Sequence, residues 1–139
     1  MSVEENRTAL LRIMAEVWNE GNLDIIPELV SPDYLYREAN REFRGPAGYR
    51  TLVTNWRVAF PDAHYTIDDM VAEDDKVSCR LAFQGTFKGR LGSIEPTGKE
   101  IHLAEATFSR WVGGKVVEVA AFFDTLTLYQ QMGVRPPGS

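Results

Sequence analysis

The chain is poor in the residues that build metal and nucleophile sites. Cys79 is the only cysteine, so an internal disulfide bond is excluded, and we expect a buried structural thiol. The two histidines, His64 and His102, have none of the spacings typical of metal motifs, and no metal site is predicted. The sequence also has no glycine-rich phosphate loop and no Gly-x-Ser-x-Gly motif, which leaves nucleophilic serine chemistry without support.

Charge and hydropathy argue against two classes of partner. Fifteen basic and 20 acidic residues give a net charge of −5, and the basic residues are scattered singly, so we expect no nucleic-acid surface. No apolar run approaches the ~20 residues that a membrane-spanning helix needs. The N-terminal segment is charged and helical in pattern rather than like a signal peptide, which favours a cytoplasmic location.

The length of 139 residues predicts one domain, formed by residues 1–134. Residues 135–139 are predicted to be a disordered tail.

Three helices are predicted in the first 60 residues. A Ser-x-x-Glu capping box at Ser2 starts the first, and its apolar residues recur at helical spacing. Asn22 caps a short second helix. Gly45-Pro46 begins the third, which has proline in its first turn.

Strands dominate the rest of the chain. Tyr34–Tyr36 forms a short first strand, and alternation predicts strands at residues 63–72, 76–87, 100–112 and 115–123. Gly113-Gly114 is a two-residue hairpin turn between the last two strands. Helices followed by a meander predict an α+β fold, in which a curved antiparallel sheet forms a cone-like half-barrel on about three N-terminal helices.

The strand at residues 100–112 is apolar on both faces. Ala104, Ala106 and Phe108 share one face, and Ile101 and Leu103 share the other. A sheet with two apolar faces needs a second partner, so we expect a homodimer through the outer face.

Asp124 ends the last strand and has two interpretations. Alternation places it on one face with Glu118, Ala120 and Phe122, where the neighbouring side chains are small and apolar. A carboxylate at the edge of such a cavity has an adjustable pKa and can act as an acid or base. Asp is equally one of the best N-caps for the helix that follows.

Other polar residues of the strands also have two interpretations each. His102 lies on the face of small side chains and is either a catalytic group or a hydrogen-bonded structural histidine. Glu105, on the opposite face, is either catalytic or paired with Arg80 or Lys76. Arg80 shares a face with Gln84 and must reach the rim or meet a carboxylate, with Asp124 and Glu118 as candidates.

Aromatic residues predict a pocket for a flat hydrophobic molecule. Tyr34, Tyr36, Tyr49 and Trp56 are the candidate lining, although such helical stripes are also typical of plain core.

An ordered set of short motifs covers nearly the whole chain. In order they are Phe60-Pro61-Asp62, Ala72-Glu73-Asp74-Asp75-Lys76-Val77, Gly85-Thr86, Pro96-Thr97-Gly98-Lys99, Gly114-Lys115-Val116-Val117-Glu118, Asp124 and Gln131-Met132-Gly133. With these motifs the chain resembles the SnoaL-like polyketide cyclases of the nuclear transport factor 2-like superfamily. Phe87 and Ala120 depart from the pattern, replacing a histidine and an aromatic residue, and Ala120 predicts a wider cavity.

The resemblance implies an intramolecular aldol condensation on a flat hydrophobic ketone, without metal or cofactor. It assigns the acid/base role to Asp124, and His102, Tyr34 or Asn55 would stabilise the enolate oxygen. The substrate-binding set is then predicted to be Tyr34, Tyr36, Asn55, Trp56, Arg80, Gln84, Ala120 and Phe122. An epoxide hydrolase-like or isomerase-like enzyme of the same fold, or a non-catalytic small-molecule binder, is the alternative.

Overall fold

The first helix carries the N-terminal cap that the sequence predicts. A computed structural model describes residues 2–136, and in it helix α1 spans Val3–Arg12 and continues as a π-helix over Ile13–Asn19. The Glu5 backbone N–H donates to Ser2 Oγ, and the Ser2 backbone N–H donates to Glu5 Oε1, which completes the capping box.

The next two helical segments also begin where the sequence predicts. The Asp24 backbone N–H donates to Asn22 Oδ1, which starts a 3₁₀ turn at Leu23–Ile25, and helix α2 follows at Ile26–Leu29. Helix α3 spans Gly45–Ala59 with proline in its first turn.

Six strands and a short helix near the C-terminus complete the part of the chain that the structure describes, residues 2–136. They are β1 Val30–Glu38, β2 Arg41–Arg44, β3 His64–Glu73, β4 Lys76–Thr86, β5 Glu100–Val112, β6 Lys115–Phe123 and helix α4 Thr125–Met132. The sequence predicted the bounds of β5 and β6 and nearly those of β3 and β4. It missed β2, a charged four-residue edge strand without apolar alternation, and it made β1 too short.

One pairing in the sheet corrects the predicted topology. The strand order is β2-β1-β6-β5-β4-β3, and four of the five pairs are antiparallel, but β1 runs parallel to β6. Strand alternation gives no information on this pairing, because the two strands are far apart in sequence. The fold is α+β, as predicted.

The core lies between the helices and the inner face of the curved sheet. Ile101 and Leu103 of β5 are buried on that face, whereas Phe108 and Phe122 are exposed on the outer face with ring centroids 6.0 Å apart. Both faces are therefore apolar, as predicted, and the homodimer stays a prediction.

Two other expectations concern single segments. Cys79 is buried in β4, as predicted. The predicted disordered tail lies outside the described residues from position 137 onwards. Across residues 2–136, no helix is both long enough and apolar enough to cross a bilayer.

Candidate functional site

A cavity opens between the helices and the inner face of the sheet. Its walls are mainly aromatic and aliphatic side chains from the first helix, α3 and the strands. Two carboxyl groups, Glu38 and Glu105, face it together with tyrosine, threonine and serine hydroxyls. None of the described residues that line the cavity is lysine, arginine or histidine. The cavity is thus hydrophobic, with acidic groups that no basic lining residue neutralises.

Glu105 is the carboxyl group of the cavity whose pKa this environment raises. It belongs to the inward-facing row of β5 and lies opposite Leu81 of β4 and Phe123 of β6. Burial raises the pKa of its carboxyl group to about 8, and the charge of Glu38 adds to the effect. A carboxyl group with this pKa can give up and take back a proton near neutral pH.

Glu38 stands at the end of β1 in a different environment. The Tyr36 hydroxyl donates to Glu38 Oε1 over 2.8 Å, and Arg41 Nη1 lies 3.5 Å from Glu38 Oε2. Both oxygen atoms of the Glu38 carboxyl group thus have a partner. Two carboxyl groups in one cavity with unlike surroundings are an arrangement that separates acid and base roles.

Tyrosine hydroxyls supply the neutral donors of the cavity. Tyr34, Tyr49 and Tyr65 are all buried, and burial raises the pKa of each phenol, so all three are neutral. Trp18 Nε1 donates to the Tyr49 oxygen over 2.6 Å. Neutral phenol groups are hydrogen-bond donors for the oxygen atoms of a ligand.

Part of the predicted binding set does converge on this cavity. Tyr34, Tyr36 and Trp56 line it together with Tyr49, the four aromatic residues from which the sequence predicted a pocket. Their contact with substrate stays a prediction.

The strand residues predicted to face the cavity lie on the other face of the sheet. Phe122 is 60% exposed, and the neighbours that line the cavity from β6 are Val119 and Phe123. Ala120 shares the outward row with Phe122, so its small side chain does not widen the cavity. The prediction of an inward face through residues 118, 120, 122 and 124 is wrong, because alternation defines two faces without identifying the inner one.

His102 also faces outward, with Gln84. His102 Nε2 lies 3.0 Å from Glu100 Oε1, and the His102 backbone N–H donates to Gln131 Oε1. Gln84 is its register partner on β4, and both line a shallow surface depression. Asn55 is exposed on α3. These three side chains do not join the cavity.

Asp124 is the N-cap of α4. Its Oδ1 accepts the Thr127 backbone N–H over 3.0 Å, and its Oδ2 accepts the Thr127 hydroxyl over 2.7 Å. These hydrogen bonds lower the pKa of the exposed Asp124 carboxyl group. The geometry therefore confirms the cap interpretation. The Asp124 side chain does not line the cavity, and its acid/base role stays a prediction.

Arg80 meets neither of the carboxylates proposed for it. Its Nη1 lies 3.8 Å from Asp68 Oδ2 on the exposed surface. Glu118 instead lies near Arg110, with 4.0 Å between Glu118 Oε2 and Arg110 Nη2. Lys76 is the register partner of Arg110, far along the strand from Glu105.

The sequence predicted Glu105 as one of two alternatives and missed Glu38, although it contained signals for both. Glu105 interrupts the row of Ile101 and Leu103, which is the buried row of β5. Glu38 lies two residues after Tyr36 and therefore on the same face of β1. A carboxyl group in a buried row was the signal in both cases.

Comparison with known proteins places the chain in a family. It belongs to the SnoaL-like polyketide cyclase family, whose model matches residues 8–132. It is similar to the aklanonic acid methyl ester cyclase DnrD of Streptomyces peucetius, with 30% identity over 128 residues, 89% of this chain and 88% of the relative.

Solved structures share the fold. A candidate SnoaL-like polyketide cyclase from Jannaschia Sp. CCS1 superposes with a TM-score of 0.88 at 20% identity, covering 96% of this chain and 94% of that one. TsrD from Streptomyces laurentii superposes with a TM-score of 0.85 at 24% identity, covering 97% and 99%. At these identities the likeness concerns the fold alone.

Proposed function

We propose that this protein is a polyketide cyclase-like enzyme that performs acid/base chemistry on a flat, hydrophobic ketone, without a cofactor. The observation that carries the proposal is Glu105, a half-buried carboxyl group with a pKa raised to about 8 inside an aromatic cavity. The named cyclase relative supports the reaction class.

The proposed reaction is an intramolecular aldol condensation. The ionised form of Glu105 removes a proton from a carbon atom next to substrate carbonyl groups, and the electron pair is delocalised as an enolate. The enolate carbon attacks a second carbonyl carbon of the same molecule, which forms the carbon–carbon bond and leaves an alkoxide. Glu105 returns its proton to that alkoxide, so the protein ends in its starting state.

The walls of the cavity assist the reaction by holding the substrate in a folded conformation. Aromatic side chains such as Trp18, Trp56 and Tyr34 offer flat apolar surfaces, and a fixed substrate conformation brings the two reacting carbons together. Because the carbon acid is doubly activated, a single well-placed carboxylate is a sufficient base.

The charge of the cavity indicates an uncharged substrate. A free carboxylate on the substrate would meet the charge of Glu38 with no basic lining residue among those described. An ester, such as the one in the relative's name, carries no such charge. We therefore propose a neutral, esterified aromatic polyketide as the substrate class.

The two alternative enzyme reactions would use different residues. An isomerase-like reaction needs the same two proton transfers by Glu105, without the new carbon–carbon bond. An epoxide hydrolase-like reaction would need Arg80 and Asp124 together, and these residues lie on different elements with separate partners, Asp68 and Thr127.

The test is turnover of aklanonic acid methyl ester, with the product identified by mass and by its new ring. We expect Glu105→Gln to lower kcat by 10²-fold or more, the usual range for loss of a general acid/base. Asp124→Asn is the matched control at the competing position and should stay within a few-fold of the wild type. Full activity in Glu105→Gln together with an inactive Asp124→Asn would overturn the proposal.

A further inference from the structure

We infer that Tyr49 binds a carbonyl oxygen of the substrate through its hydroxyl proton. The inference rests on the proposed function, because it names the oxygen-binding group of the same cavity. It concerns where negative charge collects when the enolate and the alkoxide form.

The hydrogen bond from Trp18 leaves the proton of the Tyr49 hydroxyl group available to donate a hydrogen bond. A phenol group accepts through its oxygen lone pairs and donates one proton. Trp18 Nε1 occupies an acceptor position over 2.6 Å, so the Tyr49 proton must be directed elsewhere. Within residues 2–136, no protein group accepts a hydrogen bond from Tyr49.

A buried donor without an acceptor is unusual and costly. Tyr49 is only 4% exposed, and most buried polar atoms in proteins have a partner. The side chain nevertheless lines the cavity, so a ligand oxygen is the partner that the site lacks. Two elements hold the hydroxyl in place, because Trp18 lies on the π-helix and Tyr49 on α3.

The hydrogen-bonded pair of Trp18 and Tyr49 is suited to stabilise a negative charge that develops on a substrate oxygen. Accepting a hydrogen bond from Trp18 makes the Tyr49 hydroxyl a stronger donor, because linked hydrogen bonds polarise one another. Donors fixed in a water-poor cavity stabilise an oxyanion without reorganising during the reaction. Burial keeps the pKa of Tyr49 high, so the group donates a hydrogen bond and retains its proton.

Tyr65 connects this group with the acid/base group. Its ring centroid lies 5.6 Å from that of Trp18, and the charge of Glu105 is among the causes that raise the pKa of Tyr65. Tyr65 therefore packs against Trp18, the residue that donates to Tyr49, in the cavity that Glu105 also lines.

Tyr34 provides a matched comparison for Tyr49. It is buried and lines the cavity, but its oxygen accepts no hydrogen bond from another side chain of residues 2–136. Tyr34→Phe deletes one oxygen atom, as Tyr49→Phe does, but leaves the Trp18–Tyr49 pair intact.

The experiment compares two flat probes that differ in one carbonyl group, fluorenone and the hydrocarbon fluorene. Their dissociation constants are measured by quenching of tryptophan fluorescence, and the infrared carbonyl band of bound fluorenone is recorded. We expect the wild type to prefer fluorenone, and Tyr49→Phe to lose about tenfold of that preference, near the upper range for one hydrogen bond. The carbonyl band should shift back towards its unbound position in Tyr49→Phe.

Variants of the neighbouring residues complete the test. Trp18→Phe should lose part of the preference, whereas Tyr34→Phe should lose less of it than Tyr49→Phe, because no indole N–H polarises the Tyr34 hydroxyl. The inference would be overturned by an unchanged preference in Tyr49→Phe. It would also be overturned if the wild type showed no preference for fluorenone or bound neither probe. These measurements need no turnover, so a cyclase assay that fails would count against the proposed function and leave this result standing.

Discussion

Glu38 and Glu105 face one cavity from opposite sides of strand β6. In the sheet register Glu38 lies beside Ala121, and Glu105 lies opposite Phe123. Glu38 has a hydrogen bond from Tyr36 and an ion pair with Arg41, while no such partner meets the Glu105 side chain among residues 2–136. Glu38 therefore has partners for its carboxyl oxygens, and Glu105 is the carboxyl group of the pair with a raised pKa.

The charge of Glu38 should influence the proton on Glu105. We expect Glu38→Gln to lower the pKa of Glu105 from about 8, because a nearby negative charge is removed. Desolvation is the larger cause and remains, so the pKa should stay above its ordinary value of 4.5. Carbon-13 NMR of the labelled glutamate carboxyl groups measures the shift. Glu118→Gln on the outer face is the control and should leave Glu105 unchanged; a rise of the Glu105 pKa in Glu38→Gln would contradict this arrangement.

The raised pKa of Glu105 should make the protein less stable as pH rises. Below about pH 4.5 the group is protonated in both the folded and the unfolded chain, and between 4.5 and about 8 only the unfolded chain ionises. The stability contribution of Glu105 is therefore full at low pH and falls across that window. Urea unfolding at a series of pH values measures the free energy of unfolding. Its decline across this window should be smaller in Glu105→Gln than in the wild type, by a few kcal/mol. An identical pH dependence in both proteins would show that Glu105 is not desolvated.

Asp124 should act on stability through its cap. We expect Asp124→Ala to lower Tm by a few degrees, because the Thr127 backbone N–H loses its acceptor. Asp124→Asn should retain most of the stability, since Asn is also a good N-cap.

The pH dependence of this cap has the opposite sign to that of Glu105. Because its pKa is lowered in the folded protein, the contribution of the Asp124 charge is present above 3.8 and is lost as pH falls. Thermal unfolding measures both effects, with Asp24→Ala as the exposed aspartate control. A cap variant as stable as the wild type would contradict this role.

Ser109 supports the cavity wall through a buried hydrogen-bond chain. Its hydroxyl donates to the Val77 carbonyl oxygen over 2.9 Å and accepts from Trp111 Nε1 over 2.9 Å. Ser109→Ala leaves the Trp111 indole without a partner and should cost about 1–3 kcal/mol of unfolding free energy. Ser78→Ala on the neighbouring strand is the control, and chemical denaturation measures both. Equal loss in the two variants would contradict a specific role for this chain.

The sequence predicted most elements because their signals are local. Capping at Ser2 and Asn22, proline at Pro46 and the Gly113-Gly114 turn all act within a few residues. The parallel pairing of β1 with β6 is set by the folding of the whole chain, and no local pattern contains it.

The site was harder to predict because both faces of the sheet are apolar. Phe122 and Phe123 are equally hydrophobic, and only the helices that cover one face decide that Phe123 lines the cavity. The sequence prediction placed Asp124 and His102 at the cavity and left Glu105 open between catalysis and a pair with Arg80 or Lys76. The pKa of Glu105 depends on burial by residues distant in sequence, which alternation does not reveal.

The most direct measurement is a carbon-13 NMR titration of the Glu105 carboxyl group, assigned with Glu105→Gln. A midpoint near 8 would establish a desolvated acid/base group in the cavity and support the proposed chemistry. A midpoint at or below the ordinary value of 4.5 would show a solvated carboxylate and contradict the assignment of Glu105 as the proton-transfer group.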